Sequence, residues 1–314
     1  MEFQHTSVLF HESIKSLNIK EDGIYLDGTL GGGGHASGIC ARLAEEGLLI
    51  AVDRDIEAIQ ASRKVLEQYP CKKIFVHDNY GRVKKILEDL QIEKIDGALL
   101  DLGVSSYQLD NAERGFSYMH DAPLDMRMNS NDTFTAKNIV NEYSKEDIKD
   151  IIRRYGEEKW AARIADFIVK ERSQKEIERT GQLVDIIKRA IPAAARREGP
   201  HPAKRTFQAL RIEVNNELGV LENAVEDFID VLGHGGRLAV ITFHSLEDRI
   251  VKQIFNEAAQ KCTCPLEIPM CVCGGQAKVK KISTKPISAG RDELDSNPRS
   301  RSAKLRVIEK IEVL

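Results

Sequence analysis

The 314-residue sequence contains no apolar run of the roughly 18–20 residues that a membrane-crossing helix needs, which excludes a helical membrane protein. Its first residues, Met1-Glu2-Phe3-Gln4-His5, have neither a basic end nor an apolar stretch, so no export signal is read and the cytoplasm is the expected address. Positive charge is not in excess: 46 Lys and Arg stand against 49 Asp and Glu, a net charge of −3. That balance argues against coating nucleic acid by bulk charge, although a local basic surface is still allowed because a field follows where charges sit. Internal repeats and low-complexity stretches are lacking too. Only six cysteines occur, Cys40 and Cys71 apart from the rest and Cys262, Cys264, Cys271 and Cys273 crowded together. Without an export signal, disulfides are a poor first expectation for them.

What is present is an ordinary globular composition, 42% hydrophobic and 30% charged, with room for about two domains. Strand-like and helix-like runs alternate in the first third. Strands are expected at 23–27, 48–53, 73–77 and 98–102, with helices near 36–43, 56–66 and 83–90 between them. Such alternation means parallel strands joined by crossover helices. From about Asn111 to Val214 the strand pattern disappears, and helices are expected over 145–155, 159–170 and 181–190. The first pattern then returns: a helix over 216–232, a strand at 237–243, a helix over 246–260, and strand-like runs at 279–284 and 304–311. The expected architecture is an α/β domain built from residues 1–110 and 215–314, with a helical domain of residues 111–214 between its halves.

Gly31-Gly32-Gly33-Gly34-His35-Ala36 follows a strand and opens a helix, where glycines let the backbone bend tightly and approach a ligand. Asp53 ends the next strand about 20 residues on, placed to accept hydrogen bonds from ribose hydroxyls. The glycine spacing loosely fits a dinucleotide site, so a nicotinamide-dependent dehydrogenase is one reading. Asp27 just before the loop would suit an ammonium and sit poorly beside a pyrophosphate, and Asp101 ends the fourth strand on the ligand-binding edge. Three acids around one site favour a cationic cofactor, S-adenosylmethionine, over a polyanion.

At this point the chain resembles the ribosomal RNA small-subunit methyltransferase H (MraW) family along nearly its whole length. The residues that carry the resemblance include His5-Thr6-Ser7-Val8-Leu9, Asp27-Gly28-Thr29-Leu30 with the glycine loop, and Asp101 to Ser106 through Gln108-Leu109-Asp110. Further matches are Arg114-Gly115-Phe116-Ser117, Pro123 to Met128, Tyr155-Gly156-Glu157-Glu158 and His201-Pro202-Ala203-Lys204-Arg205. Thr242 to Arg249 and Arg301 to Arg306 complete the set. The resemblance implies a Rossmann-like class I methyltransferase sheet with an inserted all-helical domain. It also implies methyl transfer from S-adenosylmethionine to the exocyclic amine of one decoding-site cytidine, on small-subunit ribosomal RNA or on the assembled small subunit. Cofactor contacts are implied at Gly33, Gly34, His35, Asp53, Tyr80, Asp101 and Gln108. Two positions depart from the family pattern, Tyr80 for phenylalanine and Tyr107 for proline; Tyr80 keeps an aromatic face for adenine.

Cytosine's amine is a weak nucleophile, while a sulfonium leaves without acid help, so catalysis reduces to alignment plus an acceptor for the amine. No Pro-Pro motif follows the fourth strand. Asp101, a serine hydroxyl or a backbone carbonyl would have to serve, and Asp101 is equally suited to holding the cofactor. His244, at the end of the 237–243 strand, is read either as a base or as a structural histidine tied to the backbone. Asp125 and Arg127 form either a loop salt bridge or a substrate contact.

Between Lys188 and Arg211 seven basic residues face a single acid, Glu198, among Pro192, Pro200 and Pro202. A shaped loop touching phosphates is the preferred reading, with Arg196, Arg197, Lys204 and Arg205 as the RNA-binding residues. Arg299, Arg301, Lys304 and Arg306 would extend that surface. For Cys262, Cys264, Cys271 and Cys273 a structural zinc site is one expectation and a reduced cysteine-bearing loop the other, since Cys-x-Cys is tighter than the usual zinc spacing. A non-catalytic RNA-binding assembly factor is the reading from another class, and a homodimer is compatible with the sequence.

Overall fold

Runs rich in Leu, Ile, Val and Ala form the middle of a seven-stranded sheet, as strands buried on both faces must be apolar throughout. This computed structural model describes residues 7–197, 199–260, 264, 268, 270 and 275–312. The strands are β1 (Ile24–Asp27), β2 (Leu48–Asp53), β3 (Lys72–His77), β4 (Ile95–Asp101), β5 (Leu232–Thr242), β6 (Val279–Lys281) and β7 (Lys304–Lys310). Their order across the sheet is β3-β2-β1-β4-β5-β7-β6. The first five run parallel, and β7 lies antiparallel to both β5 and β6.

In chain order the helices are α1 (Phe10–Leu17), α2 (Gly34–Cys40), α3 (Ile56–Leu66), α4 (Val83–Asp89), α5 (Ser106–Asp110), α6 (Ala136–Glu142) and α7 (Lys145–Gly156). They continue with α8 (Ala161–Arg172), α9 (Thr180–Ala190), α10 (Lys204–Asn215), α11 (Glu217–Val231), α12 (Ser245–Ala258) and α13 (Arg291–Ser296). By its contacts the chain divides into two units, Met1–Gly103 with Leu218–Leu314, and Val104–Glu217.

The first unit is the Rossmann-like α/β sheet that the strand–helix alternation predicts. Alternate residues of each strand point to opposite faces. One face packs Leu49, Ala51, Leu99, Ala239 and Ile241 against Ile14 and Leu17 of α1, Ile39 of α2 and Ile59 of α3. The other packs Ile50, Val52, Leu100 and Val240 against Leu87 of α4, Phe228 of α11 and Phe255 of α12. Asp248 in α12 is held by β7, with Arg306 Nε at 2.7 Å and Lys304 Nζ at 3.1 Å from its carboxylate. That engagement gives Lys304 and Arg306 a structural role that the reading of them as an extension of the basic surface did not include.

The second unit is helical, and among its described residues the extended backbone amounts to one isolated bridge, Pro123 with Arg179. Its core gathers Ile139, Ile148, Ile152, Ile164, Ile168, Leu183, Ile187, Phe207 and Leu210. Asn215 fastens its loop segment. The side-chain amide donates to Met126 O and Arg211 O at 2.8 and 2.9 Å, and its carbonyl accepts from Met128 N at 2.8 Å. Met126 itself is fully buried with φ of +66°. Asp125 and Arg127 form a salt bridge inside this loop, with Arg127 Nε 2.8 Å from Oδ1 and Nη2 2.5 Å from Oδ2. Among the described residues no helix is long and apolar enough to cross a membrane.

Candidate functional site

The glycine loop takes its shape from β1, β2 and β4 together. Gly28 N donates to Leu99 O at 3.0 Å and Leu30 N to Val52 O at 3.1 Å, so the chain leaving β1 is tied to both neighbouring strands. Gly31 and Gly33 then adopt φ of +49° and +79°, the left-handed region that glycine enters without penalty. A β-carbon on Gly33 would also meet Ser62 Cβ of α3 at 3.0 Å.

Asp53, at the end of β2, closes the loop. Its Oδ2 accepts from Gly31 N at 2.7 Å and its Oδ1 from Asp55 N at 2.9 Å. Burial raises its pKa, and these backbone donors oppose that rise. Tyr80 follows β3 and is half-buried; a β-carbon on Gly28 would lie 3.1 Å from its Cβ, so the ring starts beside the loop's first residue.

Asp27 and Asp101 end β1 and β4. Asp27 pairs in register with Leu99, and Asp101 lies two residues beyond Leu99, so both carboxylates are on one face of the sheet. Thr29 joins them: its N–H donates to Asp27 Oδ1 at 3.1 Å, and its Oγ1 accepts from Asp101 N at 2.6 Å. Asp27 Oδ2 and Asp101 Oδ1 are buried without a hydrogen-bond partner. Unpaired buried carboxylate oxygens are costly, and burial drives the Asp27 pKa up to about 7 with Asp53 adding repulsion. Burial also pushes Asp101 well above the usual carboxylate range, with Asp27 and Glu247 adding to it. A cation placed here would relieve all of these penalties at once.

His35, in the first turn of α2, brings its ring to the same acids. Its Nε2 is 3.1 Å from Val8 O, and its Nδ1 is 3.5 Å from Asp101 Oδ2. Burial lowers its pKa to about 4, which leaves the ring neutral. Gly33, Gly34, His35, Asp53, Tyr80 and Asp101 therefore all belong to the carboxyl end of the sheet unit. Gln108 lies in the helical unit, buried in α5, where its side-chain carbonyl accepts from Ser105 N at 3.1 Å and Ser105 Oγ accepts from Gln108 N at 3.2 Å. This reciprocal cap commits the oxygen of Gln108 to the start of α5.

His244 caps α12. Its Nδ1 accepts from Glu247 N at 3.4 Å, and Glu247 Oε2 accepts from Phe243 N and His244 N at 2.8 and 3.3 Å. A nitrogen that accepts carries no proton, so a neutral His244 bears its proton on Nε2, which is 3.1 Å from Glu247 Oε1. Of the two roles open from sequence, this geometry supports the structural one. Thr29 and Glu247 also shape the site without a residue-type signal of their own; Thr29 lies within Asp27-Gly28-Thr29-Leu30, and Glu247 has the position of a capping-box acid three residues after His244.

The basic segment is partly helical, not a loop throughout, because α10 begins at Lys204. Arg196, Arg197, Lys204 and Arg205 are all exposed. Arg196 Nε donates to Ile191 O at 3.1 Å and Arg205 Nη1 to Glu157 O, which fixes two of the four side chains. His201 stacks on Tyr118 at 4.6 Å and 8°, and Tyr118 meets Phe207 edge-on, pinning the proline-rich approach to the helical core. Arg189 and Arg211 are instead paired with Glu171 and Glu217. Of the four cysteines read as zinc ligands, Cys262, Cys271 and Cys273 lie outside the described residues, and Cys264 is half-buried.

Comparison with known proteins returns one family model, the MraW methylase family, matching residues 2–311. Among curated relatives, ribosomal RNA small subunit methyltransferase H of Ruminiclostridium cellulolyticum is 56% identical over 313 residues, covering 99% of this chain and all of that protein. The protein of the same name from Clostridium botulinum is 56% identical over 311 residues, and that from Clostridioides difficile 55% over 311, each with 99% of this chain and 100% of the relative covered.

Proposed function

The chain belongs to the MraW methylase family, and on that premise we propose that it methylates the exocyclic amine of one cytidine in the decoding region of small-subunit ribosomal RNA, with S-adenosylmethionine as donor. Full-length identity of 55–56% to proteins named ribosomal RNA small subunit methyltransferase H makes the chain an S-adenosylmethionine-dependent ribosomal RNA methyltransferase. The observation within the chain that supports the cofactor is the pair of orphaned oxygens, Asp27 Oδ2 and Asp101 Oδ1, on one sheet face. They fit a cofactor that carries an ammonium and a sulfonium, and they would repel the pyrophosphate of a nicotinamide dinucleotide.

When bound, the cofactor supplies an electrophilic methyl group whose leaving sulfur needs no proton. The protein's part is then placement. Asp53 fixes the loop and accepts from ribose hydroxyls, and Tyr80 offers its ring face to adenine. Asp27 and Asp101 neutralise the cationic end. Proton removal from the amine falls to a carboxylate, for which Asp101 Oδ1 is the buried, unpartnered acceptor. We assign RNA recognition to residues 104–217 through Arg196, Arg197, Lys204 and Arg205, and the cytoplasm as the place of action. The test is transfer of labelled methyl to small subunits and to naked small-subunit RNA from cells lacking the protein, followed by nucleoside analysis. Label in N4-methylcytidine at a single decoding-region position supports the proposal. Label on another base overturns the acceptor, and cofactor binding without any transfer favours a non-catalytic assembly factor.

A further inference from the structure

The environment of Asp101 poses a hydrogen-bonding problem that the cofactor reading alone does not solve. Val8 O can only accept, so His35 Nε2, 3.1 Å away, must carry a proton. The other ring nitrogen, Nδ1, is 3.5 Å from Asp101 Oδ2. In a neutral ring Nδ1 then presents a lone pair, and an ionised Asp101 presents another. Two lone pairs facing each other at that distance repel, and a proton on Asp101 directed at Nδ1, or on Nδ1 directed at Asp101, turns the repulsion into attraction.

The surroundings hold it there. Asp27 stands on the same sheet face with one oxygen unpartnered, and Thr29 bridges the Asp27 carboxylate to the backbone N–H of Asp101. The further charged groups that bear on the two acids are Asp53 at the end of β2, which acts on Asp27, and Glu247 at the start of α12, which acts on Asp101. His35 on α2 stays neutral through burial. Negative charge on Asp27, Asp53 and Glu247 all disfavours a further ionised carboxylate in their midst.

We infer that, without cofactor, the Asp27–Asp101–His35 cluster holds a proton at neutral pH, and that binding the cationic methyl donor expels this proton to solvent. The inference rests on the cofactor reading above and adds its proton balance: a cation enters, a proton leaves, and the site's net charge changes little. The site is thereby matched to a ligand's charge as well as its shape. It also makes donor affinity depend on pH. Because the free acids must give up a proton, affinity weakens as pH falls below about 7, the value to which Asp27 is raised. The dissociation constant should rise about tenfold per pH unit for each proton released.

Titration calorimetry of the whole protein with S-adenosylmethionine at pH 7, in buffers of differing ionisation enthalpy, counts the protons directly. Release of about half a proton at pH 7, rising toward one at pH 6, with a dissociation constant that grows about fivefold between them, is expected. Asp101→Asn, which cannot hold the exchangeable proton, should bind more weakly with a flatter pH dependence. Binding with the same heat in every buffer overturns the inference and leaves the cofactor reading intact. No binding in any buffer overturns the cofactor reading itself. The wild-type proton count decides the matter even if the variant fails to fold.

Discussion

Replacing Asp53 with alanine should cost more cofactor affinity than one lost ligand contact. The carboxylate accepts from Gly31 N at 2.7 Å and from Asp55 N at 2.9 Å, so it holds the glycine loop as well as facing the ribose position. Hydrogen bonds to a charged group contribute about 1.5–3 kcal/mol each. Freed from Asp53, Gly31 at φ +49° samples other conformations, and ordering a residue again costs about 1–2 kcal/mol on binding. These contributions share one side chain and do not simply add. A combined loss of about 2–4 kcal/mol is expected, a dissociation constant roughly 30- to 1000-fold higher. Asp53→Asn should recover little, because one end of its amide must point N–H groups at a backbone N–H. Calorimetry with S-adenosylmethionine measures both variants. Thermal unfolding without cofactor is the control, expected to move by no more than about 4 °C, since alanine also removes a carboxylate that burial penalises. An alanine variant within threefold of wild type would refute the argument that Asp53 shapes the loop and touches the ligand.

Asn215→Ala should lower unfolding free energy by about 2–4 kcal/mol in urea titrations, because it strands Met126 O and Met128 N in a buried loop; a loss under about 1 kcal/mol contradicts the clamp. Gly33→Ala should destabilise by about 1–2 kcal/mol through its φ of +79° alone and also weaken cofactor binding, with wild-type stability and affinity as the contrary result. Replacing Arg196, Arg197, Lys204 and Arg205 together with alanine should flatten the salt dependence of RNA binding by about 2–3 in log–log slope while leaving cofactor affinity unchanged; an unaltered slope would place the RNA elsewhere.

The sheet was legible because burial on both faces leaves a continuous apolar run, as in Leu48 to Asp53, and because the terminal acid marks its carboxyl end. Boundaries drifted where ends lack a side-chain signal. Helix α1 has left-handed residues at both ends, Leu9 and Asn18, and no side-chain cap at its start, so nothing announced it. Helix α10 was hidden for an electrostatic reason. Lys204 and Arg205 occupy its first turn, where cations oppose the helix dipole, and that charge reads as a loop although Phe207 and Leu210 keep helical spacing. At the site, residue types were readable but pairings were not. Nothing in Thr29 alone says that its hydroxyl accepts from Asp101 N, and nothing in His35 says which nitrogen carries the proton. The salt bridge of Asp125 with Arg127 shows the same limit, since two residues apart in a loop could face inward or outward.

The adjacency of β4 and β5 has a consequence for how the protein is made. The two strands are hydrogen-bonded neighbours at the centre of the sheet, yet about 130 residues separate them in the chain. At roughly 5–20 residues per second, a ribosome needs on the order of 7–25 s after finishing β4 before β5 begins to emerge. Throughout that interval β1 to β4 can pair, while the Leu99–Leu100 edge has no partner and offers open backbone groups to other nascent chains. The helical unit, complete in sequence by Glu217, can fold first. Closing the sheet is then a late, long-range event, and refolding from denaturant should show it as the slow phase.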